Sequence, residues 1–384
     1  MILQDPISPE SPFRQQKLVN GKSLRDLSAY DGYSCSLRET PEYRFSDLHK
    51  VSHLGGGSYS KVSLVITASK DQLAMKSLDP AKLGTQNAFV DAAVDLAREA
   101  NILSKLDHQN IIRLRGVPCT SLSESFSDAE VSSQSDDGYF ILLDTIDETL
   151  KSRLSRWRRD LRTSAKGRKK GTISRALSFD AWKKKVSKQA SKVDDAKMKD
   201  RMRIAAVGVA CGMQYLHEEG VIMQDLSVSN VGFDQRTGEV RIFDFGMAHK
   251  VNELSNPLQD KREEGLVCGT PRYMAPEVMQ GAGGSKESDV FSFGVMLYEI
   301  CTLQSFFSLD TDLQCFEKHV LSGERPSLDR TVPCMQTRNL ISSCWATDPK
   351  DRPTFDEIVD VLVTILTADD NDSTLVDENP RALW

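Results

Sequence analysis

In the run Leu54-Gly55-Gly56-Gly57-Ser58-Tyr59-Ser60-Lys61-Val62, three consecutive glycines stand between two apolar stretches. A residue without a Cβ lets the backbone come close to an anion and turn N–H groups toward phosphate oxygens. Alone, such a cluster is more often a simple turn. Fourteen residues beyond Val62, however, Ala74-Met75-Lys76 places a lysine at the end of an apolar run. Glu99, further on, offers a carboxylate to hold that ammonium against a diphosphate. Later in the chain, Asp225-Leu226-Ser227-Val228-Ser229-Asn230 is followed, fourteen residues after Asn230, by Asp244-Phe245-Gly246. Two carboxylates and an amide on short β elements make a hard, oxygen-donating set suited to Mg²⁺ and to the phosphates it bridges. Singly, Asp and Asn also serve turns, so the argument rests on their order and spacing.

Those groups need elements to carry them. The runs Val62 to Thr67 and Leu73 to Ser77, separated by Ser69-Lys70-Asp71, read as successive antiparallel strands. From Phe89 to Leu106, apolar residues at Ala93, Leu96, Ala97, Ala100, Leu103 and Leu106 line one helix face, and Glu99 lies on that helix. The strand YFILLD follows, then helical spacing from Met202 to Leu216, short strands at Val231 to Phe233 and Val240 to Phe243, and mainly helix to about Ala368. The expectation is an α+β chain in two lobes: a small β-rich lobe with one main helix, and a larger, mostly helical one.

The 384 residues are 39% hydrophobic, enough to fill real cores. The eight cysteines are scattered without a CxxC pair, which favours reduced packing residues over a zinc site or a disulfide framework. No apolar run approaches the length of a membrane span, and the start MILQDPISPE lacks a signal-peptide pattern, so an intracellular chain, cytoplasmic or nuclear, is expected. The net charge of −6 hides an asymmetry: Lys151 to Arg203 carries twenty Lys and Arg against five Asp, which leaves about −21 elsewhere. Residues 1–42, with Ser8-Pro9 and Ser11-Pro12, read as a disordered arm, and 369–384 as an acidic tail. Two insertions are expected within the 43–368 domain: an acidic loop at 121–138 without a single Lys or Arg, and a basic one at about 162–196. The basic one suits an acidic partner; nucleic acid is the less favoured occupant.

Taken together, the glycine run, Lys76, Glu99, Asp225, Asn230, Asp244-Phe245-Gly246 and Ala275-Pro276-Glu277 resemble in order and separation the signature set of eukaryotic protein kinases. Asp289 and Arg352 resemble that family's architectural aspartate and arginine, the latter pairing with the Glu277 position. The resemblance implies an ATP- and Mg²⁺-dependent transferase acting on protein substrates in signalling. Lys76, held by Glu99, would contact the α- and β-phosphates; Asn230 and Asp244 would hold Mg²⁺; Asp225 would accept the substrate hydroxyl proton. Gly55 and Gly57 would belong to the phosphate loop, and Leu54, Val62 and Ala74 to the adenine pocket. Leu143 would be the gatekeeper, and Asp144 to Ile146 the hinge whose backbone pairs with adenine. The segment GTPRYMAPE resembles that of serine/threonine kinases, with Thr270 beside Asp225, whereas Cys344-Trp345 and Arg352-Pro353-Thr354-Phe355 resemble tyrosine and tyrosine-kinase-like enzymes. A serine/threonine kinase of the tyrosine-kinase-like branch reconciles the two.

The chain departs from the family pattern in its catalytic loop. Met223-Gln224-Asp225 stands where His-Arg-Asp is usual, and Gln224 cannot pair with a phosphate, so control by activation-loop phosphorylation is expected to be absent or weakened. Ser227 replaces the lysine that touches the transferred phosphate, and no cation lies between Asp225 and Asn230. Losing one such donor slows a reaction roughly 100- to 1,000-fold. Ser60 replaces a loop glycine, and Gly232 stands where an apolar residue usually lies beneath adenine. Two readings follow: a slow serine/threonine kinase, or a pseudokinase that binds nucleotide or serves as a scaffold. Phosphotransfer to a small molecule is disfavoured by GTPRYMAPE.

Overall fold

The computed structural model describes residues 40–57, 59–82, 86–122, 139–167, 195–251, 269–307, 312–329 and 331–368. The β-branched and apolar runs near the glycine cluster form adjacent antiparallel strands, β2 (Leu48–Gly55), β3 (Ser60–Thr67) and β4 (Gln72–Leu78). They belong to a six-stranded sheet of order β1-β5-β6-β4-β3-β2, with β1 at Glu42–Tyr43, β5 at Leu114–Pro118 and β6 at Phe140–Leu143. The register sets Val62 opposite Lys76, and Ala74 opposite Leu143. Strands β1 and β5 escaped the pattern reading. One is two residues long, and β5 carries Gly116 and Pro118 at positions that lower strand propensity.

Helix α1 (Gln86–Leu103) lays Ala93, Leu96, Ala97, Ala100 and Leu103 into the core, the face that the spacing gave, and Val90 with them. It stops short of Leu106 because its last turn tightens: Lys105 and Leu106 donate to the carbonyls three residues back, Ile102 and Leu103. This β-rich lobe with one main helix meets a larger helical lobe, as expected.

Beyond β7 (Ile146–Thr149), α2 (Leu150–Gly167) continues into the stretch expected to be an insertion, anchored on buried Leu154 and half-buried Trp157. Residues 168–194 of that stretch and 123–138 of the acidic loop lie outside the described residues, as do 1–39 of the arm and the tail from 369. Residues 195–201 are helical again and lead through a π-helical turn at Met202–Ala206 into α3 (Val207–Glu218). The catalytic-loop sequence lies between β8 (Val221–Ile222) and β9 (Val231–Asp234), and Asp244 follows β10 (Val240–Ile242).

After β11 (His249–Lys250) and α4 (Pro276–Met279), α5 (Lys286–Thr302) is the core of the large lobe: every residue from Ser288 to Cys301 is buried, as suits a helix apolar on nearly all sides. Its start is fixed by a capping box between Ser285 and Ser288. Helices α6 (Leu313–Leu321), α7 (Met335–Cys344) and α8 (Phe355–Thr367) complete the lobe, α8 entered through a Thr354–Glu357 capping box. Among the described residues no helix is long and apolar enough to cross a membrane.

Candidate active site

A cavity of about 490 Å³ opens between the lobes, lined by Gly57 and Ser60 of the glycine-rich loop, Lys76, Glu99, Asp225 and Asp244 among others. Lys76 is aimed by its strand. With Val62 opposite it in β3 and Ile141 in β6, its ammonium projects toward α1 and meets Glu99 Oε2 at 2.6 Å and Asp244 Oδ1 at 2.7 Å. The other Glu99 oxygen accepts from the Phe245 amide at 3.2 Å, and the Phe245 ring is buried. One buried carboxylate thus ties α1 to both β4 and the segment after β10. Burial alone lowers the Lys76 pKa, but the Glu99 and Asp244 charges outweigh it and hold the ammonium above its usual value. Burial raises the Glu99 carboxyl despite Lys76, whereas the Lys76 charge holds Asp244 below the usual carboxylate range.

Asp225 is held from three sides. Its Oδ1 accepts from the Thr270 amide and hydroxyl, each at 2.6 Å, and its Oδ2 from Asn230 Nδ2 at 2.7 Å. Burial pushes its carboxyl up against the pull of those hydrogen bonds. Asn230 also donates to the Asp225 carbonyl at 2.9 Å, so its amide nitrogen is spent and its oxygen is the atom left for a cation. Gly269 turns the chain onto Asp225 with φ of 112°, and a Cβ there would come within 2.8 Å of the Gln224 carbonyl.

The turn that presents Asp225 is strained. Gln224 has φ of 60°, and the Asp225 amide donates back to the Met223 carbonyl at 2.8 Å, which closes a tight three-residue turn. Buried Asp289 braces it, accepting from the Met223 amide at 2.8 Å, the Gln224 amide at 2.9 Å and, at 3.0 Å, the His217 ring. With its amide nitrogen toward the Met247 carbonyl (2.7 Å) and its oxygen toward the Gly284 amide (3.3 Å), the Gln224 side chain links the catalytic loop to both flanking segments. Ser227 is wholly buried, and among the described residues its Oγ has no hydrogen-bond partner.

The residues expected beside adenine fall elsewhere. Ala74 and Leu143 are buried neighbours on β4 and β6, Val62 is partly buried, Leu54 is 49% exposed, and none of them lines the 490 Å³ cavity. Asp144 turns its carboxylate into an ion cluster with Arg115 (2.6 Å) and Arg241 (2.9 Å), and its amide donates to the Arg113 carbonyl at 3.3 Å. At Gly232, a Cβ would lie 2.4 Å from Ile146 Cγ2 and 3.1 Å from Phe243 Cε1. The room left by the missing side chain is therefore taken by Ile146 and Phe243. Sequence reading named Ile146 only for its backbone and passed over Phe243, since nothing in spacing links either side chain to Gly232.

This geometry has a counterpart in sequence comparison, where the protein kinase domain matches residues 48–362. The chain belongs to the protein kinase family. Among similar proteins, dual specificity protein kinase shkC of Dictyostelium discoideum is 35% identical over 188 residues, covering 48% of this kinase and 35% of that protein. Serine/threonine-protein kinase STY17 of Arabidopsis thaliana is 34% identical over 160 residues (41% and 26% of the two chains). The probable serine/threonine-protein kinase CCRP1 of Zea mays is 35% identical over 150 residues (39% and 23%). The matched segments thus span about a third or less of these relatives. A eukaryotic protein kinase with protein substrates is the family reading, and protein kinases use ATP, typically with Mg²⁺.

Proposed function

We propose that this kinase is a serine/threonine enzyme of the tyrosine-kinase-like branch that transfers the γ-phosphate of ATP to a protein hydroxyl, slowly. The observation that carries the reading is the Lys76 ammonium bridging Glu99 and Asp244, in a cavity that Asp225 also lines. Lys76 neutralises the α- and β-phosphates, and Glu99 keeps it from swinging away. Asp225 accepts the proton of the attacking hydroxyl, held in line by Thr270 and Asn230. Its raised pKa makes it a better base than an exposed aspartate. The Asp244 carboxylate, 44% exposed, and the Asn230 amide oxygen are hard donors that fit Mg²⁺. When bound there, Mg²⁺ neutralises charge on the phosphates. Thr270 beside Asp225 supports serine/threonine specificity, and the serine/threonine-kinase names of the plant relatives point the same way.

The slow rate follows from Ser227. Its hydroxyl is buried, has no partner among the described residues, and is neutral, so it cannot supply the charge of a lysine to the transferred phosphate. The same feature favours the second reading, a pseudokinase that binds nucleotide without turnover. Gln224 already hydrogen-bonds both flanking segments through a neutral amide, which supports control that does not depend on a phosphate in the activation segment. The basic stretch at 162–196 is proposed to dock an acidic partner.

The deciding experiment incubates the purified chain with ATP, Mg²⁺ and a generic protein substrate beside Asp225→Asn. Phosphate incorporation that falls about 100-fold in the variant is expected. Equal counts from both proteins would refute a catalytic Asp225, and no counts from either, with ATP still bound, would favour the pseudokinase. A second expected result is that Ser227→Lys raises the turnover rate, by up to roughly 100-fold. If the variant melts like the parent and turns over no faster, another group already supplies that charge.

A further inference from the structure

The glycine-rich loop is held from outside by the short connection between β4 and α1. Strand pairing between β3 and β4 extends one step past Leu78, where the Asp79 amide donates to the Tyr59 carbonyl at 2.9 Å. The chain then turns through a 3₁₀ segment, Pro80–Lys82, fixed by the Lys82 amide donating to Asp79 O at 3.0 Å and by the Ala81 amide donating to Asp79 Oδ1 at 3.3 Å. That turn brings Lys82 back over the loop. Its ammonium donates to the carbonyls of Gly57 at 3.1 Å and Ser60 at 3.2 Å. Gly56 permits the fold-back: a Cβ there would lie 2.4 Å from the Ser60 carbonyl and 3.2 Å from Lys82 Nζ. Three carbonyls of one loop, those of Gly57, Tyr59 and Ser60, are thus taken up by Asp79 and Lys82, and the same three residues line the cavity that holds Lys76, Asp225 and Asp244.

A carbonyl oxygen facing a polyphosphate repels it, and a loop with three glycines has little of its own to fix which way its peptide units point. We propose that Lys82 is a positioning residue of the nucleotide site. It draws the Gly57 and Ser60 carbonyls onto its ammonium and so holds the loop in the form that accepts phosphates. Asp79 Oδ2 lies 3.4 Å from the same ammonium, which trims the field reaching the cavity. Lys82 therefore works by fixing the loop and not as a distant charge. The inference rests on the reading of this cavity as the ATP phosphate site. The need for such a clamp is greater here than in a chain with a catalytic-loop lysine, because Ser227 gives the phosphates nothing to hold.

The test is calorimetric titration of the full chain, and of Lys82→Met and Lys82→Arg, with Mg²⁺–ATP, Mg²⁺–ADP and adenosine, beside thermal melts. Lys82→Met is expected to weaken ATP and ADP about tenfold, the scale of one charge-assisted hydrogen bond, and to leave adenosine binding unchanged. Lys82→Arg is expected to recover most of the loss, since a guanidinium can also donate to both carbonyls. Because the Lys82 side chain is 41% exposed, the melting temperature should hardly move. Unchanged affinity for all three ligands in Lys82→Met overturns the proposal, and so does an equal loss for all three, which would mean general damage to the lobe. A parent chain that binds adenosine but gains nothing from the phosphates of ATP overturns the reading of the cavity itself, a result distinct from either.

Discussion

Lys76→Met and Asp244→Asn are each expected to reduce phosphotransfer on the order of 1,000-fold, the upper range for removing one preorganised charge-stabilising group. The two changes act on opposite ends of one contact. In the first, the cation proposed to face the phosphates is lost, and Glu99 keeps its burial without the ammonium that opposed it. The tie between α1 and β4 goes with it. In the second, Lys76 retains Glu99 at 2.6 Å, so the fold of the small lobe is preserved while the carboxylate proposed to hold Mg²⁺ becomes an amide. Asp244→Asn therefore separates chemistry from folding. Rates measured across a range of Mg²⁺ concentrations, with circular dichroism to verify the fold, check both. Full activity in both variants would sink the kinase mechanism proposed for this site.

The second large effect is expected far from the chemistry. Arg352 is buried between α4, α5 and the Ala346-Thr347 turn, and grips Glu277 with two parallel hydrogen bonds of 2.6 and 2.8 Å. Its remaining donors go to the carbonyls of Glu287 (2.9 Å), Ala346 (2.9 Å) and Thr347 (3.3 Å), and its guanidinium lies 5.2 Å from the Phe291 ring. Arg352→Ala would leave a carboxylate and three carbonyls without their partner. Breaking a buried pair in this way costs about 3–5 kcal/mol. For a domain of this size that lowers the melting temperature by roughly 10 °C. Arg352→Lys should recover little, because an ammonium cannot reproduce the planar fork. Thermal denaturation of the three proteins decides it: a drop of under about 1 kcal/mol in Arg352→Ala would mean that water replaces the lost partners.

Much of this was legible in the sequence because it is local or ordered along the chain. β-Branched and apolar runs gave β3 and β4, and helical spacing gave α1 and the start of the helical large lobe, since these patterns are local to each element. Motif order named Lys76, Glu99, Asp225, Asn230, Asp244 and Thr270, and the fold brings them into two sets of contacts, Lys76 with Glu99 and Asp244, and Asp225 with Asn230 and Thr270. The strand β1, too short for a pattern, and the early end of α1 depended on tertiary hydrogen bonds and on a tightened last turn.

What the sequence determined by itself is the family and the two-lobed plan, because these follow from residue type, period and order. Only the tertiary structure decided that Ile146 and Phe243 fill the space over Gly232, that Asp144 faces Arg115 and Arg241, that Gln224 joins the catalytic loop to Met247 and Gly284, and that Lys82 rests on the glycine-rich loop. The physical reason is common to all four. Each depends on which side chains fill a given space once the elements have packed, and Gly232, Gly284 and Gly56 contribute by having no Cβ, so no residue type or spacing in the sequence records the neighbour that moves in.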